Sequence, residues 1–233
     1  MPAEDGGRLA RKRRQTRAQL LEAAYRVMSE QGIDASKIKD ITDLADVGFG
    51  TFYNYFESKD QLASMVLDCL INDFGRRSVE ATRGLGRRDP ALVIPVSIRL
   101  MLTTVIADPL WQWWALRPDL LLDRMRKGFG PFGMRDMREA VRRGICQLSE
   151  DQIPLTWDLA VWVMVGGIHD VVVGDRPPGT EKEIAAAIMR LMGVEPERAL
   201  QISSTKLPAY PAPDIDWMFT LETHPAKADA SPA

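Results

Sequence analysis

Residues 46–60 read DVGFGTFYNYFESKD, and five of the eight positions from Phe49 to Phe56 are aromatic. They come with Thr51, Asn54 and Lys59 and without histidine, cysteine or paired acids. Tyrosine hydroxyls and a lysine ammonium can grip phosphates, threonine and phenylalanine can meet thymine methyls, and asparagine can read adenine. On a helical period Phe52 and Phe56 share an inward face, while Phe49, Thr51, Tyr53, Asn54 and Tyr55 point elsewhere. A solvent-facing helix rarely carries two tyrosines and a phenylalanine without a partner. Gly50 inside such a helix costs about 1 kcal/mol relative to alanine, a cost that close approach of backbone to another molecule would justify.

Groups suited to bond-making are scarce. The only histidines are His169 and His224, and the only cysteines are Cys69 and Cys146, at unrelated positions. No nucleophile and base pairing or metal-ligand spacing emerges, so neither an enzyme nor a cofactor or metal site is expected. Gly128 to Gly133 spells G-x-G-x-x-G. A dinucleotide fingerprint needs a preceding strand and a helix that starts at the glycines, whereas Leu120 to Lys127 reads as helix. A flexible connection between helices is expected there instead.

The elements that must hold the aromatic stretch are helices. Leu20, Leu21, Ala24, Val27 and Met28 recur at helical spacing between Arg14 and Gln31, and Gly32 supplies a stop. Ser36 is expected to cap a second short helix carrying Ile38, Ile41, Leu44 and Ala45, which Asp46, Val47 and Gly48 interrupt. Phe49 to Phe56 fits a third. Ser58 caps a fourth with the stripe Leu62, Met65, Val66, Cys69 and Leu70. Two short helices joined by a tight turn form a helix-turn-helix, whose second helix enters the DNA major groove.

Ile41, Ala45, Val47, Gly50-Thr51-Phe52-Tyr53, Tyr55-Phe56, Ser58-Lys59-Asp60 and Leu62 resemble the helix-turn-helix signature of the tetracycline-repressor (TetR) family of bacterial transcriptional regulators. The resemblance runs from about Arg14 to Leu62. It implies base-edge contacts from Phe49, Gly50, Thr51 and Asn54, and phosphate contacts from Tyr53, Tyr55 and Lys59, with Lys37 a further phosphate candidate. Asp46 stands where the family's turn commonly has glycine, and Gly48 where a polar cap is common. Asp46 must then adopt a left-handed conformation that aspartate tolerates, and Gly48 can serve as N-cap.

Beyond Gly75 the pattern stays helical, near 90–107, 109–126, 134–147, 155–173 and 180–192. Breaks are expected at Gly84/Gly86, Asp108-Pro109, Gly128 to Gly133, Pro154 and Pro177-Pro178-Gly179. The fold class is all-α, with a helix-turn-helix domain over 1–62, a helical bundle over 63–194 and a Pro-rich, largely extended or disordered tail over 195–233. Ile215, Trp217 and Met218 could pin part of that tail. The resemblance implies that the second domain binds an effector and dimerises. Met101, Trp111, Trp113, Trp114, Met125, Trp157, Met164 and His169 suit an apolar ligand cavity, and equally a filled core. Arg117, Arg124 and Arg126 are close enough in sequence to meet an anionic group. The segment Leu155 to Val173 is apolar on nearly every side, so Trp162, Gly166, Gly167 and Asp170, with Ile188 and Leu191, are expected at a dimer interface.

At 233 residues, with 45% hydrophobic and 27% charged residues and a net charge of −2, the composition is that of an ordinary soluble globular protein. Local charge says more than the total: Arg8, Arg11, Lys12, Arg13, Arg14 and Arg17 crowd together without an acid. Cys69 and Cys146, at unrelated positions, fit a reducing compartment, the N-terminus has no apolar signal-peptide core and the longest apolar run, Leu159 to Ile168, is too short for a bilayer, so a cytoplasmic location is expected. Expected partners are double-stranded operator DNA, a second copy of the chain and a small apolar effector. The rival expectation is a soluble helical small-molecule-binding protein or enzyme with a vestigial DNA-binding unit.

Overall fold

The computed structural model describes residues 3–221; His224, Pro225 and Pro232 lie outside the described residues. Among these the chain forms ten α-helices and no strand. They are α1 (Ala3–Gln31), α2 (Ile38–Leu44), α3 (Phe49–Phe52), α4 (Lys59–Arg88), α5 (Val93–Ala107), α6 (Pro109–Ala115), α7 (Pro118–Arg142), α8 (Ile153–Val172), α9 (Glu181–Leu191) and α10 (Pro196–Ser203). Two compact units result among the described residues, 3–72 with 215–221, and 73–214. The division falls inside α4, ten residues beyond the expected boundary at 62, because the apolar stripe of α4 continues through Val66, Leu67, Leu70 and Ile71, all buried.

In the first unit Leu20, Leu21 and Met28 of α1, Ile41 of α2, Phe52 and Phe56, and Leu62 and Val66 of α4 are all fully or almost fully buried. Burying side chains of this size contributes roughly 1.5–3 kcal/mol each, which is what holds helices as short as α2 and α3 that could not persist alone. Gly32 ends α1 in a left-handed conformation at φ 79°. Ser36 does not cap α2: its hydroxyl donates to the Ile33 carbonyl at 2.7 Å, and Lys37 holds the N-cap position without a side-chain bond. Ser58 does cap α4, its Oγ accepting from the Gln61 N–H at 3.1 Å while Gln61 Oε1 accepts from the Glu57 N–H at 2.6 Å.

The second unit removes two expected breaks and adds one that was not expected. α4 runs through Gly84 and Gly86 and stops only before Pro90, where Asp89 caps a short 3-10 turn. Pro118 starts a new helix at a position expected to lie mid-helix, after the short α6. α7 then continues through Gly128 to Gly133, Pro131 included, so this stretch is no flexible connection. Tertiary packing overrides the cost of about 1 kcal/mol per helical glycine here. Gly128 and Gly130 are buried, and a Cβ on Gly133 would overlap the Trp157 ring. Pro131, which lacks an N–H for the helix ladder, sits on the exposed side.

Pro90–Ala107 and Glu150–Val172 are long and apolar enough by composition alone to cross a bilayer, a test that core helices also pass; 50% and 44% of their apolar windows are buried within the protein. The tail also differs from expectation. Its first part is the helix α10, and the next stretch is extended as its prolines require but tied down. In the second unit the Tyr210 hydroxyl donates to the Phe74 carbonyl at 3.3 Å, Arg77 to the Pro211 carbonyl at 3.1 Å, and Arg76 to the Asp214 carbonyl. In the first, the Trp217 ring lies 5.3 Å from that of Tyr25, and Arg17 donates to the Phe219 carbonyl at 3.4 Å.

Candidate functional sites: an exposed helix-turn-helix and an apolar cavity

The turn between α2 and α3 is closed by the Val47 N–H donating to the Thr42 carbonyl at 3.0 Å and the Asp46 N–H to that of Asp43 at 3.2 Å. Asp46 has φ 53° and is the only left-handed non-glycine residue among those described. Gly48 takes the N-cap of α3 in an extended conformation. Regular helix ends at Phe52, earlier than expected, and Tyr53, Asn54 and Tyr55 follow as tight turns with the Asn54 N–H on the Thr51 carbonyl and the Tyr55 N–H on that of Phe52. Phe52 and Phe56 form the floor, with ring centroids 5.5 Å apart.

Above that floor the remaining side chains face outward. Phe49 and Tyr53 are 53% and 56% exposed and meet edge to face. Gly50 and Asn54 are exposed, and Thr51 and Tyr55 half-exposed. A Cβ placed on Gly50 would meet no atom within 4 Å, so nothing inside this chain requires glycine there. Lys37 is exposed. Lys59 is engaged: its Nζ donates to the Asp34 and Ser36 carbonyls, both at 2.9 Å, bracing the loop before α2 and leaving one of three donors. Of the basic cluster, Arg8, Arg11, Lys12, Arg13 and Arg14 are exposed, and Arg13 lies 5.9 Å over the Tyr55 ring.

In the second unit α4, α5, α7, α8 and α9 line a half-open cavity of about 80 Å³. Ile98 and Met101 of α5, Phe129 and Phe132 of α7, Trp157 and Met164 of α8 and Ile188 of α9 give it an apolar wall. Among the described residues, Ser78, Ser97 and Asp136 bring its only side-chain oxygens. Two close approaches shape it. The Phe132 ring lies against Gly75, and the Trp157 ring against Gly133, each where a Cβ would overlap. The Trp157 indole donates to the Arg126 carbonyl at 3.1 Å, which fixes the ring. Burial raises the Asp136 carboxyl pKa, against the opposing pull of its hydrogen bonds and charge attraction to Arg135, and with a further push from Glu139.

Of the residues expected at an effector site, Met101, Trp157 and Met164 meet at this cavity. Trp111, Trp114 and Met125 do not; they are 2%, 0% and 0% exposed and fill the core, with Trp111 packed edge to face on Phe74 at 5.3 Å. Trp113 lies under the Arg117 guanidinium at 3.6 Å, and His169 is half-exposed beside Asp170, neither on the cavity wall. Arg117, Arg124 and Arg126 are also absent from it. Phe129, Phe132 and Asp136 line the cavity without having been expected there. Their i, i+3, i+7 spacing marks one helical face, but the glycines around them read as a break.

The residues expected at a dimer interface divide in the same way. Trp162 is 53% exposed, Leu191 37%, and Gly166 and Asp170 are at the surface. Ile188 is fully buried on the cavity wall, and Gly167 is buried where a Cβ would overlap Ile184 of α9, so both serve packing within the chain.

Residues 20–66 match the bacterial regulatory proteins, tetR family, and residues 89–205 the tetracyclin repressor-like C-terminal domain. The chain belongs to the TetR family of bacterial transcriptional regulators. It is 38% identical over 66 residues to the HTH-type transcriptional repressor DhaR of Mycobacterium sp. (strain GP1), covering 28% of this chain and 33% of that protein. Over 73 residues it is 32% identical to the repressor KstR2 of Rhodococcus jostii (strain RHA1), covering 31% and 36%. These matches span about a third of the length of the curated relatives. Among solved structures, RolR in complex with the ligand resorcinol superposes with a TM-score of 0.78 at 28% identity, covering 87% of this chain and 100% of that one. FadR from Bacillus subtilis in complex with stearoyl-CoA gives 0.55 at 17% identity over 76% and 98%, a likeness of fold alone.

Proposed function

We propose that this TetR-family chain is a repressor that binds a pseudo-palindromic operator as a homodimer and releases it when a small, largely apolar molecule fills the cavity of the second unit. The observation that carries DNA binding is the outward face of α3 and its following turns. Phe49, Thr51, Tyr53 and Asn54 stand clear of a buried Phe52–Phe56 floor, and Gly50 is open to close approach. Large aromatic side chains held outward on a short helix have the chemistry of a base and backbone reader.

Dimerisation is supported by a stripe on α8. Leu155, Leu159, Trp162, Val163 and Val173 are 64%, 41%, 53%, 37% and 43% exposed, with Gly166 open on the same surface. A contiguous apolar face of this kind marks a contact with another protein surface. The effector reading rests on the cavity and on RolR, whose structure holds resorcinol.

Fluorescence anisotropy on an inverted repeat from DNA flanking the coding region tests the reading. Lys37→Ala is expected to weaken binding to all sequences and reduce the salt slope by about 1 for each phosphate the lysine neutralises, while Asn54→Ala relaxes preference at particular base pairs. Unchanged affinity and salt slope in Lys37→Ala, together with unchanged base preference in Asn54→Ala, would remove the assigned face.

A further inference from the structure

Among the described residues the cavity wall carries one ionisable side chain, Asp136, and no cation. Its neighbour Arg135 directs both Nε and Nη2, at 3.1 and 2.8 Å, to the same carboxylate oxygen, Oδ1. The other oxygen, Oδ2, therefore has no hydrogen-bond donor among the described residues. The side chain is 19% exposed, and Oδ2 is left to water or to a ligand. Across the cavity the other side-chain oxygens are the hydroxyls of Ser78 on α4, 3.5 Å from the Tyr210 hydroxyl, and Ser97 on α5.

The arginines that sequence proximity offered to an anionic ligand are occupied elsewhere. Arg126 pairs with Asp158 at 3.1 Å, and Arg117 donates to the Trp113 carbonyl at 3.0 Å while stacking on its ring. A carboxylate brought into this cavity would meet a like charge in a poorly solvated space and no compensating donor. A hydroxyl on a compact ring would instead give Asp136 the donor that Oδ2 lacks. At about 80 Å³ the space is of single-ring scale, below the ~150 Å³ of an apolar cavity known to hold benzene, so the side chains adjust around a small occupant.

We propose that Asp136 sets the chemical class of the effector, selecting a neutral single-ring molecule that presents a hydroxyl to its carboxylate and rejecting aromatic carboxylates and acyl thioesters. This rests on the cavity being the effector site. The selection is a difference of affinities, attractive toward an O–H donor and repulsive toward an anion.

Calorimetric titration of the full-length protein with 1,3-dihydroxybenzene, the similarly shaped 1,3-dimethylbenzene and benzoate tests it, alongside Asp136→Asn and Asp136→Leu whose fold is checked by circular dichroism. Wild type is expected to prefer the dihydroxy compound over the dimethyl one by about 10- to 100-fold, the range of a hydrogen bond to a charged group, and to bind benzoate weakest. Asp136→Asn loses most of that preference while holding the dimethyl compound as before, and Asp136→Leu reverses it. Equal binding of the two neutral rings by wild type, with operator release intact, would overturn the role of Asp136 and leave the effector site standing. Tighter binding of benzoate, or dihydroxybenzene affinity unchanged in both variants, would do the same. Binding of none of the three would overturn the effector-site reading along with it.

Discussion

Phe49 and Tyr53 stand more than half exposed in the first compact unit, while Trp111 and Trp114 in the second are 2% and 0% exposed. Both regions are rich in aromatic side chains, yet the physics differs. An exposed aromatic on a short helix gives up burial worth roughly 1.5–3 kcal/mol, so its presence calls for a partner outside the chain. An enclosed aromatic is already accounted for by packing. The cavity of the second unit is walled by Phe129, Phe132 and Trp157, and two of the three tryptophans of α6, Trp111 and Trp114, are core. Aromatic content points to a site where it is left uncovered, and to stability where it is not.

The sharpest way to break this comparison lies within the aromatic stretch itself. Phe52→Ala should cost about 3–5 kcal/mol, since it opens a void under α3, and should abolish operator binding. Phe49→Ala should change stability by only about 0.5 kcal/mol while weakening DNA binding. Urea denaturation read by far-ultraviolet circular dichroism separates them. Equal destabilisation would mean that Phe49 is core and that the exposed face is not a reading surface.

The same contrast explains what was legible in the sequence. The break between α2 and α3 followed from Asp46, Val47 and Gly48, while the left-handed Asp46 and the Gly48 N-cap came from the family resemblance, and the structure has both. Lys59 was legible as an important cation but not as a brace, because its partners Asp34 and Ser36 are backbone carbonyls, invisible in residue type. The cavity was obscured for the opposite reason. Gly128 to Gly133 carries every local signal of a break, and only the approach of Trp157 to Gly133 from another helix makes continuous α7 the lower-energy choice. Local rules suffice for a turn and fail for a close helix contact. Ile188 and Gly167 show the same limit, since an apolar helix face gives no sign of whether its own domain or a second copy covers it.

Two glycines sharpen the comparison at intermediate size. Gly133→Ala places a methyl within the Trp157 ring, and overpacking of this kind typically costs about 1–3 kcal/mol. Trp157 must move, so effector affinity should fall with stability. Gly50→Ala meets open space and should stabilise the free protein by about 1 kcal/mol through helix propensity, while reducing operator affinity by removing close approach. Thermal melts with and without operator DNA distinguish the two. A Gly50→Ala protein that is both more stable and fully competent for DNA would show that this glycine has no role in recognition.

The smallest expected effect concerns the one carboxyl on the cavity wall. Burial raises the Asp136 pKa above the usual 3.8, so the folded state holds its proton more tightly than the unfolded chain does. The linkage has a fixed sign: the contribution to stability is fully present below about pH 3.8 and is lost as pH rises through the raised value, because ionisation is then easier in the unfolded chain. The groups acting on it are Arg135, whose ion pair opposes the shift, and Glu139, which adds to it; the facing wall residues from α4, α5, α8 and α9 bring no other titratable group. Asp136→Asn removes the ionisation. Its stability relative to wild type should therefore improve as pH is raised from about 3.5 toward 7, although it lacks the Arg135 ion pair throughout. Urea midpoints measured across that range check the sign. A relative stability that instead declines with rising pH would mean that the Arg135 pair outweighs burial, and the carboxylate would then be a solvated surface group rather than an acceptor held in reserve for a ligand.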